Sequence, residues 1–176
     1  ASTHATEEII AAKTHLLLKK KNKNLITIII PRHVHRTNEI IEELKKLDLG
    51  IVVHSSKNKN LNNKDIYIVD TFGESKKFYK IASTVFVGGS MVNRGGQNPL
   101  EPARYGAKIL HGPNVGNFRE IYDYLNSLNI SSKVKTPLEI SNSFKLKKNM
   151  SNVIKIDTIG KNILKQTLKE LNKSIW

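Results

Sequence analysis

The amino-acid sequence predicts an α/β fold built on a doubly wound parallel sheet of about six strands. Three observations predict it: short apolar runs alternate with amphipathic segments, the runs are rich in β-branched residues, and polar or glycine-rich turns follow four of them. Strand, helix and parallel strand connect through a right-handed crossover, which covers both faces of the sheet with helices. The 176 residues suit one domain, residues 1–176, with a hydrophobic core of its own.

The predicted elements follow one another in a regular order. The first helix is expected over residues 7–20, with Thr6 as its cap, acids in its first turn and lysines in its last, as the helix dipole favours. The run LITIII is typical of a parallel strand covered on both faces. Strands are predicted at residues 25–30, 51–54, 66–69, 84–87, 108–110 and 130–134, and further helices at 38–47, 75–82, after Asn98, 117–128 and onward to Trp176.

Composition and charge limit the possible functions. A formal net charge of +14 attracts the chain to nucleic acid, acidic lipid or a phosphorylated ligand, although most of its lysines are expected on solvated faces. The absence of cysteine excludes disulfides and thiolate metal sites. No apolar run reaches the roughly 20 residues that span a bilayer, and the first residues do not resemble a signal peptide. We therefore expect a soluble domain.

The most informative segment is VFVGGSMVNRGGQNPLEPARYG, residues 85–106. A strand, a glycine-rich turn and a helix start follow one another in it. This order is typical of anion-binding sites, because glycine allows close backbone approach and a helix N-terminus has unpaired amides. We expect the amides of Gly88, Gly89 and Ser90, with the Ser90 hydroxyl, to bind a phosphate; a purely structural tight turn is the alternative. The motifs of nicotinamide dehydrogenases and P-loop NTPases are absent.

Candidate side chains occupy other turns at the same sheet edge. Glu101 stands either as a capping-box acid or as an acceptor of hydrogen bonds from a ribose diol. Arg32 follows a strand and a proline, which aims its guanidinium at a phosphate or carboxylate, unless it is an ordinary surface arginine. Gly73 and Glu74 either present groups to a base or cap the next helix.

No metal site and no catalytic apparatus is predicted. His33 and His35 flank a valine and share a face on an extended segment, but no cysteine or acid stands near them, so no metal is assigned. No Ser/His/Asp arrangement and no carboxylate pair appears. Catalytic residues are therefore assigned to none of these positions.

Four motifs in order resemble those of the Kdo transferases. They are ASTHATEE at residues 1–8, similar to the family's STHxGEE start, IIIPRH at 28–33, DTFGE at 70–74, and GGSMVNRGGQNPLEPARYGAKILHGPNVGNFREI from Gly88. These enzymes are inverting GT-B glycosyltransferases that move 3-deoxy-D-manno-octulosonic acid (Kdo) from CMP-Kdo to the lipid A precursor in lipopolysaccharide biosynthesis. A GT-B fold has two Rossmann-like domains with the active cleft between them. The resemblance covers only the C-terminal, donor-binding half.

The resemblance implies a protein that works without a metal or other cofactor. Its N-terminal acceptor domain, absent from this chain, would carry the membrane association, most acceptor contacts and the general base. The partners implied are CMP-Kdo, the lipid A precursor and an anionic membrane surface, with no nucleic acid. The whole enzyme is expected at the cytoplasmic face of the inner membrane of a Gram-negative bacterium, and the isolated domain is expected to be inactive.

The resemblance also implies roles for individual residues. Arg32 and the turn of Gly89 and Ser90 would bind the CMP phosphate, the Gly73 turn the cytosine, and Glu101 the ribose. The full set of implied donor-site residues is Arg32, His33, Gly73, Glu74, Gly88, Gly89, Ser90, Asn98, which would brace the loop, and Glu101, with Thr3 and His4 near the interdomain cleft. Two positions depart from the family pattern: Thr6 stands where glycine is usual, and Gln97 where histidine is frequent.

Two other functions remain open at this point. One is a GT-B transferase or epimerase that uses a UDP sugar, which would need a longer anion site for its diphosphate. The other is a basic nucleic-acid-binding module, suggested by the charge. Such a module needs stacking aromatic residues, but aromatic residues make up only 6% of the chain and are scattered.

Overall fold

The computed structural model describes residues 1–57, 60–151 and 153–158. Strands and helices alternate along it, which confirms the predicted α/β class. In chain order they are α1 Glu7–Lys19, β1 Thr27–Ile29, α2 Thr37–Lys45, β2 Ile51–Val53, β3 Ile66–Ile68, α3 Ser75–Tyr79, β4 Thr84–Val87, α4 Leu100–Arg104, β5 Lys108–His111, α5 Arg119–Ser127, β6 Ser131–Lys133 and α6 Pro137–Ser143. The helices predicted beyond residue 158 lie outside the described residues.

The strands form two parallel sheets of three strands each, in the orders β1-β3-β2 and β4-β5-β6. Thr27 stands opposite Ile66 in the first sheet, and Thr84 opposite Lys108 in the second. The prediction of one six-stranded sheet is therefore wrong. At their carboxyl ends β1 and β4, which a single sheet would place side by side, are separated by residues 1–3.

Residues 1–3 join the two sheets. The amino group of Ala1 donates to the Phe86 carbonyl of β4 at 2.6 Å. The Thr3 N–H donates to the Ile30 carbonyl at 3.2 Å, and the Arg32 N–H donates to the Thr3 carbonyl at 2.9 Å. The segment thus runs parallel to both strands and holds their ends at a fixed separation.

Each sheet has its own apolar core. The first core lies between α1, α2 and the first sheet, and the second lies between β4, β5, α4 and α5. Full burial of an aliphatic or aromatic side chain contributes about 1.5–3 kcal/mol, so these clusters provide most of the stability. Their members include Ala12, Ile29, Ile40, Leu44, Ile66 and Ile68 in the first, and Val85, Val87, Ala103, Ile109, Tyr122 and Leu125 in the second.

Helix α1 begins at a strained residue. Thr6 has a φ of 77°, in the left-handed region, and its side chain makes no capping hydrogen bond. Thr6 is therefore the N-cap residue by position, as predicted, but it caps the helix without its side chain. The left-handed backbone is costly for a β-branched residue and free of steric cost for glycine, which explains why glycine is usual at this position in the family that the sequence resembles. No helix in the described part of the chain is both long and apolar enough to cross a membrane.

Candidate functional site

The turns singled out in the sequence lie at the carboxyl ends of the strands. The loop after β4, the turn after β1 and residues 1–4 meet at the junction of the two sheets, while the turn after β3 lies beside the start of α4. Parallel α/β sheets bind their ligands outside the carboxyl ends of the strands, where the strand order reverses. The junction therefore has the position of a ligand site.

Glu7 organises the centre of this junction. Its fully buried carboxylate accepts hydrogen bonds from the backbone N–H groups of Gly89 at 2.8 Å, Ser90 at 3.0 Å and Met91 at 2.9 Å. The N–H of His4 donates to it as well, at 2.9 Å. Bonds to an ionised acceptor are stronger than neutral ones. The loop does bind an anion, but that anion is a side chain of the same molecule.

The amides of Gly89 and Ser90, which we expected to cradle a phosphate, are not free in this structure, because both donate to the Glu7 carboxylate. The Ser90 side chain does not reach the surface either: it is fully buried, its hydroxyl donates to the Val87 carbonyl at 2.6 Å, and it accepts from the Gly112 N–H at 2.8 Å. Gly88 is needed for close packing, because a Cβ there would overlap the Ser2 carbonyl oxygen. These residues shape the loop through internal contacts.

Two hydrogen bonds fix the backbone of the loop formed by residues 88–97. The Gly96 N–H donates to the Gly89 carbonyl at 2.9 Å, and Gly89 itself has a φ of 68°, which suits glycine. The Tyr122 hydroxyl donates to the Gln97 carbonyl at 2.8 Å. Burial raises the pKa of Tyr122, so the hydroxyl stays protonated as a donor. The backbone of the loop is thus fixed before any ligand arrives.

Cationic and imidazole side chains surround the outer face of this loop. We call this group the basic cluster; its members are His4, Arg32, His33, His35 and Arg94. The His4 and His33 ring centroids lie 5.8 Å apart, and those of His33 and His35 5.5 Å apart. The side chains of His4 and Arg94, together with that of Gln97, come close to Gly89: a Cβ placed there would lie 3.4 Å from Gln97 Nε2, 3.4 Å from His4 Cε1 and 3.5 Å from Arg94 Cβ.

Electrostatics favour the neutral form of two of these histidines. Burial lowers the pKa of His4, with Arg94 and Arg32 acting in the same direction and Glu7 opposing them. Partial desolvation lowers the pKa of His33, with further contributions from its cationic neighbours. An anion bound at the basic cluster would favour the charged forms and raise both pKa values. The cluster is therefore suited to bind and sense negative charge.

A second group of side chains lies between the turn after β3 and the start of α4. The Glu74 carboxylate is 3.2 Å from His54 Nε2 and 2.8 Å from Lys77 Nζ. The hydrogen bond from Lys77 lowers the pKa of Glu74, which keeps it ionised at neutral pH. Glu101 Oε1 lies 3.8 Å from Lys76 Nζ, and the Glu101 side chain is 42% exposed. Its oxygens therefore remain accessible to a hydrogen-bond donor.

The residues around Glu101 and Glu74 behave partly as predicted. The Asn98 side-chain oxygen accepts from the Leu100 N–H at 2.9 Å, so Asn98 supports the start of α4, although the helix begins at Leu100 and not at Pro99. Gly73 has a φ of 78°, and nothing lies within 4 Å of a Cβ built there. Its backbone conformation, and not a lack of space, calls for glycine.

The structure thus divides the predicted site residues into two neighbouring groups. Helices α3 and α4 contact each other, which brings the Gly73 turn towards Glu101. The first group, at the junction of the sheets, contains Thr3, His4, Arg32, His33, Gly88, Gly89 and Ser90; the second contains Gly73, Glu74, Asn98 and Glu101. The sequence analysis did not single out Glu7, which holds the glycine loop, or the buried Glu8, whose carboxylate contacts Arg36 at 3.1 Å.

Comparison with known proteins identifies relatives of this chain, although no family model matches it. A curated 3-deoxy-D-manno-octulosonic acid transferase from Haemophilus influenzae is 37% identical over 125 residues, 71% of this chain and 29% of the relative. Proteins of the same name from Rickettsia prowazekii and Aquifex aeolicus are 32% and 33% identical and cover 94% and 79% of this chain. The chain spans 36% and 38% of these two relatives, so it matches little more than a third of their length.

A solved structure supports the same relationship. It is the crystal structure of the C-terminal CMP-Kdo binding domain of WaaA from Acinetobacter baumannii, which matches with a TM-score of 0.75 and 28% sequence identity. The match covers 80% of this chain and 74% of that one. Sequence and fold agree with the four motifs that resembled this family. The chain belongs to the 3-deoxy-D-manno-octulosonic acid transferase family, in the part that corresponds to the C-terminal domain.

Proposed function

We propose that this chain is the donor-binding domain of a glycosyltransferase that moves Kdo from CMP-Kdo to the lipid A precursor in lipopolysaccharide biosynthesis. The observation that carries the proposal is the match to a CMP-Kdo binding domain over 80% of the chain. The basic cluster supports it, because it lies at the sheet edge where α/β domains hold nucleotides and consists of groups suited to a phosphate.

In this proposal the basic cluster binds the CMP phosphate. Arg32 and His33 are exposed beside the loop, and a guanidinium fork matches phosphate oxygens in two parallel hydrogen bonds. Departing CMP carries its new charge on phosphate, so fixed positive groups stabilise the transition state where charge develops. The role of Gly88, Gly89 and Ser90 becomes indirect: through Glu7 they hold the loop against which the phosphate rests.

The nucleoside would lie towards the second group of residues. The accessible carboxylate of Glu101 suits a ribose diol, as acids near such sheet edges do, and the backbone of the Gly73 turn suits the cytosine. Glu74, held ionised by Lys77, would contribute an acceptor near the base. The contact between α3 and α4 brings the base and ribose subsites next to each other.

The remaining parts of the reaction come from outside this chain. We propose that the nucleophile and general base belong to the lipid acceptor and to an acceptor domain of the whole enzyme, and that Thr3 and His4 line the cleft between the domains. The charge of +14 attracts the protein to anionic lipid, which fits work at the cytoplasmic face of the inner membrane of a Gram-negative bacterium. The isolated domain would bind the donor without turning it over.

Isothermal titration calorimetry with CMP tests the donor site. Replacing Arg32 or Glu101 by alanine removes a charged hydrogen-bonding group worth about 1.5–3 kcal/mol, so we expect binding to weaken about 10- to 100-fold. Arg104→Ala is the matched control, an exposed arginine on the same helix as Glu101, and should leave binding unchanged. A folded domain that gives no heat with millimolar CMP would contradict the proposal, and UDP binding as tightly as CMP would indicate a diphosphate site.

A further inference from the structure

An open pocket with a volume of about 440 Å³ lies at the edge of the second sheet where β5 begins. We call it the lysine pocket; it is lined by Lys108, Asn129, Lys145, Leu146, Lys147 and Asn149. Strand β5 is four residues long and a strand rises about 3.3 Å per residue, so about 10 Å of strand separates this edge from the carboxyl ends. The pocket is therefore separate from the candidate donor site, and it shares no residue with it.

The side chain of Lys108 is fixed at this pocket. Its Nζ donates to the Asn129 carbonyl at 3.0 Å and to the Ser131 carbonyl at 3.2 Å. An ammonium group has three N–H donors, and these two bonds use two of them. Within the described contacts, the third donor is left for a ligand.

The loop of residues 144–149, which supplies the other lysines, is bonded to the framework near both of its ends. The Thr84 hydroxyl donates to the Lys145 carbonyl and accepts from the Lys145 N–H, both at 3.0 Å. The Asn149 N–H donates to the Gly106 carbonyl at 3.1 Å. The backbone of the pocket is thus ordered in advance, which reduces the entropic cost of binding a ligand.

The three lysines of this loop have different surroundings. Lys148 Nζ donates to the carbonyls of Tyr79 at 2.8 Å, Lys80 at 2.8 Å and Tyr105 at 2.9 Å, at the ends of α3 and α4. All three of its N–H donors therefore serve the fold. Lys145 and Lys147 are exposed and line the pocket, so their ammonium groups are accessible to a ligand.

The positive charge of the lysine pocket is not balanced by acidic side chains. Within the described residues, Lys108, Lys145 and Lys147 form no ion pair with a carboxylate. Burial lowers the pKa of Lys108, and the charge of Lys145 lowers it further. A bound anion would remove this repulsion and favour the charged form of Lys108.

An uncharged donor completes the lining. The Asn149 side-chain oxygen accepts from the Ser151 N–H at 3.1 Å and from the Ser151 hydroxyl at 2.7 Å. The group that the Asn149 side chain can offer to a ligand is therefore its amide nitrogen, which is a donor. Three ammonium groups and an amide then surround one volume, and all of them donate hydrogen bonds.

We propose that the lysine pocket binds a phosphate group, at a site distinct from the proposed donor site. Lysine ammonium groups bind phosphate as point charges, and phosphate oxygens accept several hydrogen bonds at once. The two negative charges of a phosphate monoester also match three lysines better than the single charge of a carboxylate does. The phosphate belongs either to a soluble phosphate ester or to the headgroup of a lipid, and the experiment distinguishes these sources.

Titration of the isotope-labelled protein with inorganic phosphate, followed by nuclear magnetic resonance, tests the site. The amide signals of residues 145–149 report on the lysine pocket, and that of Arg32 reports on the basic cluster, so the two sites are measured independently. We expect saturable shifts at residues 145–149 with millimolar phosphate. A CMP titration that gives no binding would contradict the donor site and leave this result unaffected.

Substitution of the two exposed lysines measures their contribution. Lys145→Gln combined with Lys147→Gln removes two charged donors, and we expect phosphate affinity at the pocket to fall about tenfold or more. Lys20→Gln combined with Lys21→Gln is the matched control, because it removes the same charge from exposed positions after α1. The control should change the affinity by less than about twofold. CMP binding should stay the same in both variants.

Sedimentation with phosphatidylcholine vesicles, with and without phosphatidic acid, identifies the source of the phosphate. Weaker binding of the Lys145 and Lys147 variant to the acidic vesicles would assign the pocket to a lipid headgroup, and unchanged binding would assign it to a soluble ester. Three results would overturn the proposal. They are the absence of shifts at residues 145–149 in the folded protein, equal phosphate affinity with and without the two lysines, and an equal loss in the control variant, which would show that net charge alone attracts phosphate.

Discussion

Glu7 and Glu101 occupy similar local positions and do different things. Each is an acid in the first turn of a helix, Glu7 as the first residue of α1 and Glu101 as the second of α4. The Glu7 carboxylate is fully buried and accepts four backbone hydrogen bonds, whereas the Glu101 side chain is 42% exposed and its carboxylate lies 3.8 Å from Lys76. Local sequence gives both the features of a first-turn acid. Burial makes one of them part of the framework and leaves the other available to a ligand.

This difference also separates the two halves of the proposed donor site. At the junction of the sheets the loop is shaped by internal hydrogen bonds, and the ligand groups are the side chains of the basic cluster around it. Between α3 and α4 the carboxylates of Glu74 and Glu101 are partly exposed and lie near lysines. The first half is preorganised, and the second is open to adjust to a bound nucleoside.

The largest effect should come from removing the Glu7 carboxylate. Glu7→Ala leaves four N–H groups without their acceptor, and since each unsatisfied group costs about 1 kcal/mol or more, we expect the free energy of unfolding to fall by about 4 kcal/mol or more. Glu101→Ala, in the first turn of the other helix, should change it by less than about 0.5 kcal/mol. Urea denaturation followed by circular dichroism measures both. An equal fall in the free energy of unfolding in the two variants would contradict a framework role for Glu7 alone.

A smaller effect should follow from the buried amino group of Ala1 in a polypeptide prepared to start at that residue. Its pKa falls from 8.0 to about 6 on folding, so the unfolded chain binds more protons between these values and stability increases with pH there. We expect the free energy of unfolding to rise by about 1 kcal/mol between pH 7 and pH 8.5.

Acetylation of the amino group provides the control for this prediction. It removes the charge and keeps the N–H donor to Phe86, so the gain between pH 7 and pH 8.5 should disappear in the acetylated protein. Thermal unfolding at the two pH values measures it. A gain of the same size with and without acetylation would assign the pH dependence to other groups.

The smallest effect concerns the residue before Glu7. Thr6→Gly relieves the left-handed backbone at φ 77°, and we expect the free energy of unfolding to rise by roughly 0.5–1 kcal/mol after the entropic cost of glycine is subtracted. Thr6→Ala keeps a Cβ and should raise the free energy of unfolding by less. Denaturation midpoints compare the three proteins, and a glycine variant no more stable than the alanine variant would contradict the strain at this residue.

Much of the fold followed from local patterns. The strand at β4 and the start of α1 lie where the sequence predicts them, because a β-branched run ending in glycine and acids in a first turn are signals within a few residues. The sequence also predicts the edge of the sheet at which the candidate site lies, because the turns at Arg32, Gly73 and Gly89 each come after a strand. The separation of β1 from β4 was not predictable, since it depends on residues 1–3 and on no property of either strand alone.

The sequence by itself determined the alternation of strands and helices, the family to which the chain belongs and the edge of the sheet at which its motifs meet. These depend on short-range periodicity and on motifs that can be read in order. The tertiary structure decided that the glycine loop is already filled, because its anion is Glu7, 82 residues earlier in the chain than Gly89. Hydrogen bonds across such a separation depend on how the sheets meet, and no local pattern contains that information.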